Sequence, residues 1–224
     1  MKAQVIRLTL LNHLFYYTEV AGGNASATLT GAFLGDLALN YALQRVMSGG
    51  TDTYDYRAKP NYAQIAQFGF YCTVAKPLGM VKRTEIYINN TLFNCDGYVD
   101  VDSIMQSGKS PYKNYRQVQG IAAGTTFIAA VLSNETLKLP PTIRMGRAKE
   151  TLLKIETLPE KEYKDQDFWL NAYTLATVYQ NLPAAIELMK EQEKVNFAYI
   201  LENYNLLKKL TLPNVMQIFD GKLS

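Results

Sequence analysis

A single histidine, His13, and two cysteines, Cys72 and Cys95, are all the imidazole and thiol that the 224-residue chain carries. The cysteines show no C-x-x-C or C-x-x-x-H spacing, so no zinc-type ligand set can be read. A nucleophilic triad would have to be built around His13 alone, and no G-x-S-x-G elbow is present. No G-x-x-x-x-G-K-[ST] loop and no G-x-G-x-x-G turn exist, which removes the common phosphate-cradling motifs. Asp96, Asp100 and Asp102 lie close together but lack the spacing and terminal glutamate of a calcium loop, and read as a solvated acidic loop. His13 itself, in an apolar neighbourhood at a strand junction, reads as a structural or loop-end histidine. No cofactor or metal is expected.

Long apolar runs are also missing. The longest weakly polar stretch, 120–132, contains two threonines and falls short of the roughly 20 residues that a membrane-spanning helix requires. Near the start, Arg7 interrupts the only apolar stretch, which a secretory leader would keep uncharged. The Asn-x-Ser/Thr tripeptides at Asn24, Asn89 and Asn134 then read as chance occurrences and the cysteines as reduced thiols, in keeping with a cytoplasmic protein.

What is present is a globular composition, 48% apolar and 19% charged, on a chain long enough to bury a core without disulfide or metal staples. The net charge of +3 is unevenly spread, with ten Lys/Arg against five Asp/Glu in residues 61–149 and eight against eleven in residues 150–224. A basic centre suits contact with a polyanion.

Ile6, Leu8 and Leu10 alternate with Arg7 and Thr9, the period of a strand, and 14–18 continues as a second extended run. Leu34, Leu37, Ala38, Tyr41 and Ala42 recur at helical spacing, predicting a helix over 32–47 that ends at Gly49-Gly50. Strands are predicted over 68–74, with Gly69 leaving one position bare, and over 84–88, 124–132 and 151–156. Residues 51–64 read as a loop. Residues 89–119 are polar and too long for a tight connection, so they read as a working excursion. Pro140-Pro141 forces an extended approach to Thr142–Arg147. Pro183 opens a short helix, and Phe197, Tyr199 and Leu201 suggest a last strand. This order predicts one α+β domain over 1–224, a mainly antiparallel sheet with helices on one face and an insertion at about 89–119.

Two stretches carry binding chemistry. Lys109-Ser110-Pro111-Tyr112-Lys113-Asn114-Tyr115-Arg116-Gln117 interleaves cations with aromatics, as an arm on single-stranded nucleic acid requires: cations neutralise phosphates while tyrosine faces stack on unpaired bases. Arg144-Met145-Gly146-Arg147-Ala148-Lys149 places three cations around a glycine that lets backbone approach a phosphate. Lys82-Arg83 is a weaker feature. Phe68-Gly69-Phe70 lacks the basic residue and glycine of an RNA-recognition platform and reads as core strand.

Three places in the chain resemble the small RAMP-superfamily subunit of type I-D CRISPR surveillance complexes, in the Cas-five group that caps the five-prime handle of the guide RNA. Residues 6–16 look like that family's first strand and turn, Leu39-Asn40-Tyr41-Ala42-Leu43 like its first helix, and 141–147 like its Arg-x-Gly-Lys strand end, with Arg147 where lysine is usual. The resemblance implies a ferredoxin-like, RNA-recognition-type RAMP fold with an inserted thumb-like hairpin. It implies no catalysis, assembly beside the helical backbone subunit and the large subunit, and proximity to target DNA. By position, the thumb falls on 89–119, and handle contacts fall on Arg144, Gly146 and Arg147.

The expected RNA-binding residues are therefore Lys109, Tyr112, Lys113, Tyr115, Arg116, Arg144, Gly146, Arg147 and Lys149. The rival reading is a metal-independent endoribonuclease of the same superfamily that processes repeat RNA, with His13 as general acid or base. A third is a purely structural protein without nucleic acid.

Overall fold

The computed structural model describes residues 1–16, 19–20, 27–50, 61–90, 115–146, 150–191 and 205–223. Its centre is a six-stranded sheet. β1 (Lys2–Leu10) lies between β8 (Thr126–Ser133) and β10 (Thr151–Thr157), β4 (Phe70–Cys72) and β5 (Lys76–Pro77) both pair with β8, and β9 (Thr142–Met145) forms the edge beyond β10. Every pairing in it is antiparallel.

β8 is buried along nearly its whole length, as expected of a strand covered on both faces. Period-2 alternation sends Ile6, Leu8, Leu10, Phe127, Ala129, Val131, Leu153 and Ile155 to one face, where Leu39 and Leu43 of α1 (Asp36–Met47) pack. Val5, Ile128, Ala130 and Leu132 point the other way, into a layer built from β11 (Phe168–Asn171), α2 (Leu182–Glu191), β12 (Leu206–Leu210) and α3 (Leu212–Phe219). Helices therefore cover both faces, which corrects the expectation of helices on one face only. The cause is that β1 and β8 present apolar side chains in both directions, and the C-terminal quarter supplies the second cover.

A four-stranded sheet of β2 (Glu19–Val20), β3 (Ala27–Leu29), β7 (Tyr115–Gln119) and β6 (Tyr87–Asn90) stands beside the central one. β6 and β7 are antiparallel, with Tyr87 opposite Val118 and Asn90 opposite Tyr115, so the two ends of the long insertion meet as the arms of a hairpin.

Several predicted boundaries move. α1 begins at Asp36 and not at 32, because Leu34 is drawn into a backbone bridge with Ala75. The strand predicted at 84–88 begins at Tyr87, since Arg83 is held in a separate bridge to Ile121. The strand predicted at 68–74 is confined to Phe70–Cys72, and Gly69 before it has φ +70. The strand predicted at 197–201 lies outside the described residues.

Candidate nucleic-acid interface

On the face opposite α1, register places Arg7, Thr9, Lys154, Glu156, Leu152, Thr142 and Arg144 side by side, with Thr126 and Lys76 on the β8 side. The C-terminal layer closes only part of this face, and it does so with acids. Glu162 accepts from Arg7 at 2.7 Å, and Asp167 pairs with Lys76. Lys154 is bound to Glu156 at 2.8 Å, which holds the Glu156 carboxyl below its ordinary value. Arg144 alone among these cations is exposed and has no ion pair with a described carboxylate. β9 is an edge strand: Ile155 donates to the Pro141 carbonyl, and the antiparallel alternation then turns the N–H and C=O of Thr142 and Arg144 away from β10. Arg144 thus offers a guanidinium and an outward backbone N–H at one place, both of them donors suited to phosphate oxygens.

β9 ends at Gly146, with φ +82; a Cβ there would stand 2.9 Å from Leu14 Cδ1 and 3.1 Å from Thr151 Oγ1. Only glycine combines that backbone with that approach. The contact sets the end of β9 against the turn that follows β1, and this turn is held on every side. The Asn12 side chain donates to the Glu150 carbonyl at 2.9 Å and accepts from the Leu152 N–H at 2.7 Å, standing in for a strand residue beside β10. Thr151 Oγ1 donates to the His13 carbonyl at 2.8 Å. Leu14 and Ile121 exchange both backbone bonds.

His13 is exposed, and its Nδ1 accepts from the Ala123 N–H at 3.1 Å. A ring nitrogen that accepts carries no proton, so Nε2 carries it and is a donor. The loop-end reading of His13 therefore has a definite form: a fixed tautomer on a clamped turn.

Of the nine residues expected to touch RNA, the structure describes Arg144 and Gly146 fully and brings them to one sheet edge. Tyr115 and Arg116 lie in β7, in the other sheet, and their side chains lie outside the described residues, as do Lys109, Tyr112, Lys113, Arg147 and Lys149. The described parts of the two basic stretches, 115–117 and 144–146, thus belong to different sheets or their ends. Cys95 and the acidic trio Asp96, Asp100 and Asp102 also fall outside the description. Among the described residues no cluster of His, Cys, Asp or Glu suits a metal ion. Phe70 is 1% exposed within the α1-side core, as the core-strand reading expected.

Sequence reasoning passed over Asn12, whose amide does strand work from a turn, and gave no sign that Asp36, the first residue of α1, is a fully buried carboxylate. Asp36 opens a helix, a position where acids are favoured on solvent-exposed helices as well, so the pattern did not distinguish the buried case.

The described part is thus an α+β protein with an acid-clamped sheet face and, at its edge, an arginine without an ion pair to a described carboxylate, and no helix there is long and apolar enough to cross a membrane. The family model described as type I-D CRISPR-associated protein Cas5/Csc1 matches residues 1–221, and the chain belongs to that family. A search of curated proteins found no match.

Proposed function

We propose that the chain is a non-catalytic guide-RNA-binding subunit of a type I-D CRISPR effector complex. In this reading it caps the five-prime handle of the guide RNA and helps to assemble the complex on target DNA in the cytoplasm, beside the helical backbone subunit and the large subunit. Membership of the family supports a place in the effector. The observation that carries the RNA contact is Arg144, without an ion pair to a described carboxylate on a face whose other described cations are neutralised from within, and followed within five residues by Gly146 and the cations Arg147 and Lys149.

The strand order supports the ferredoxin-like RAMP reading. Taking β1, β4, β8 and β10 as the first to fourth strands, the sheet runs second, third, first, fourth, with α1 joining the first two. The second helix of that plan is replaced by β9, which occupies the connection from β8 to β10.

The rival, cleavage of repeat RNA through His13, requires an available ring nitrogen. Nδ1 is engaged by Ala123 and Nε2 bears the proton, an arrangement that favours donation over base catalysis.

The test is a salt titration of single-stranded handle RNA against the full chain and the variant carrying Arg144→Ala with Arg147→Ala. Removing two phosphate contacts should weaken binding and lower the slope of log K against log salt by about 1.4. Equal slopes would remove the assignment. Incubation of the unmodified chain with repeat RNA should leave that RNA intact.

A further inference from the structure

Two single-residue bridges build a small three-stranded patch that no pattern in the sequence announces. Leu14 pairs with Ile121, and Ile121 with Arg83, both antiparallel. Around the second pair, Thr84 N–H donates to the Gly120 carbonyl and Ala122 N–H to the Lys82 carbonyl, which fixes the neighbours opposite one another: His13 beside Ala122 beside Lys82, and Phe15 beside Gly120 beside Thr84. Leu14 and Ile121 point inward and are fully buried. The flanking positions point the other way.

The outward row has a definite chemistry. His13 and Lys82 are both exposed, with only the small side chain of Ala122 between them. Strands spaced about 4.8 Å apart put the two outer backbones about 10 Å from each other. One wall offers a neutral imidazole whose Nε2–H is fixed as donor by the Ala123 bond. The other offers an ammonium that makes no ion pair with a described carboxylate. In the adjoining row the Phe15 ring lies across Gly120, where a Cβ would come within 2.7 Å of it, and Tyr87, 44% exposed, meets Phe15 edge-on with ring centroids 5.6 Å apart. The floor is small, one wall is cationic, the other donates a hydrogen bond, and an exposed aromatic stands at the end.

We propose that this trough holds one nucleotide of single-stranded RNA, with Lys82 on its phosphate and His13 Nε2–H on an acceptor atom of its base, so that His13 discriminates among bases while Lys82 supplies affinity. The inference rests on the RNA-binding reading above and deepens it. A clamped turn is what such a role needs, because a donor held in place loses little entropy when it engages the base.

The experiment uses the full chain and two labelled single-stranded RNAs of equal length, one of the repeat-derived handle sequence and one of polyuridine. Lys82→Gln should weaken both and reduce the slope of log K against log salt by about 0.7. His13→Ala should weaken the handle RNA about five- to tenfold with the slope unchanged, because a neutral hydrogen bond is lost and no counterion is involved. His13→Gln, which places an amide N–H near the Nε2 position, should restore most of that loss. Ala122→Leu, filling the floor, should abolish the preference for handle over polyuridine while thermal melting stays that of the unmodified chain. If all four variants bind both RNAs as the unmodified chain does, the trough is not a nucleotide site, and the reading built on Arg144 stands without it. If the unmodified chain binds neither RNA, that reading fails and the trough with it.

Discussion

The Asp36 carboxylate and the Thr174 hydroxyl meet at 2.5 Å, joining the first turn of α1 to the π-helical turn Thr174–Val178 of the C-terminal layer. Tyr71 OH, at 3.0 Å, and the Asn171 amide, at 3.1 Å, donate to the same carboxylate. The two covers of the sheet are thereby tied through one buried acid.

Burial raises the Asp36 pKa above its ordinary 3.8, and the donated hydrogen bonds only partly oppose this. A native pKa above the unfolded one means that the folded state holds the proton more tightly. The stability linked to that proton is complete below the ordinary value and is lost as pH rises through the raised one. Urea unfolding of Asp36→Asn between pH 4 and pH 7 should show a smaller decline with rising pH than the unmodified chain. Asp36→Ala, which orphans three donors, should cost about 3 kcal/mol or more.

Asp167 has the opposite sign. Burial works to raise its pKa, but the hydrogen bond and charge of Lys76 outweigh it, and the carboxyl lies below its ordinary 3.8. Its contribution is present above that value and is lost as pH falls through the lowered one. Acid unfolding of Lys76→Met should therefore begin at a higher pH than that of the unmodified chain.

Cys72 is fully buried, and burial, with the nearby Asp36 adding to it, pushes its thiol far above the ordinary range. The thiolate is the reactive form. In a Cys95→Ser background the folded chain should resist thiol-modifying reagents, and modification should appear only with denaturation.

Gly120 has no room for a side chain, since a Cβ would stand 2.5 Å from the Leu14 carbonyl and 2.7 Å from the Phe15 ring. Gly120→Ala should cost about 1–3 kcal/mol and speed hydrogen exchange at the Leu14 and Ile121 amides, which bond across that contact at 2.8 and 2.9 Å.

What the sequence made legible was the regular part of the fold. β1 alternates cleanly, β10 nearly so, and α1 repeats at helical spacing, so their residues reported their own surroundings. β12 did not, because Leu206-Leu207-Lys208-Lys209-Leu210 fails to alternate, and Lys209 adopts φ +61. α3 carried readable signals, Thr211 capping Asn214 N–H with Pro213 in the first turn, but it is only eight residues long. At the interface, Arg144 and Gly146 were legible because cation and glycine stand only two positions apart in the chain. The row of His13, Ala122 and Lys82 was not, because long-range bridges of one residue each assemble it and leave no periodic trace.

The central claim is that the edge of β9 and the segment after it hold guide RNA. The most direct measurement is ultraviolet crosslinking of the assembled effector complex, followed by mass spectrometry of the peptides joined to the guide's five-prime handle. The account predicts crosslinks in the peptide spanning 142–149. Crosslinks confined to 158–223, or a complex whose handle joins only other subunits, would contradict it.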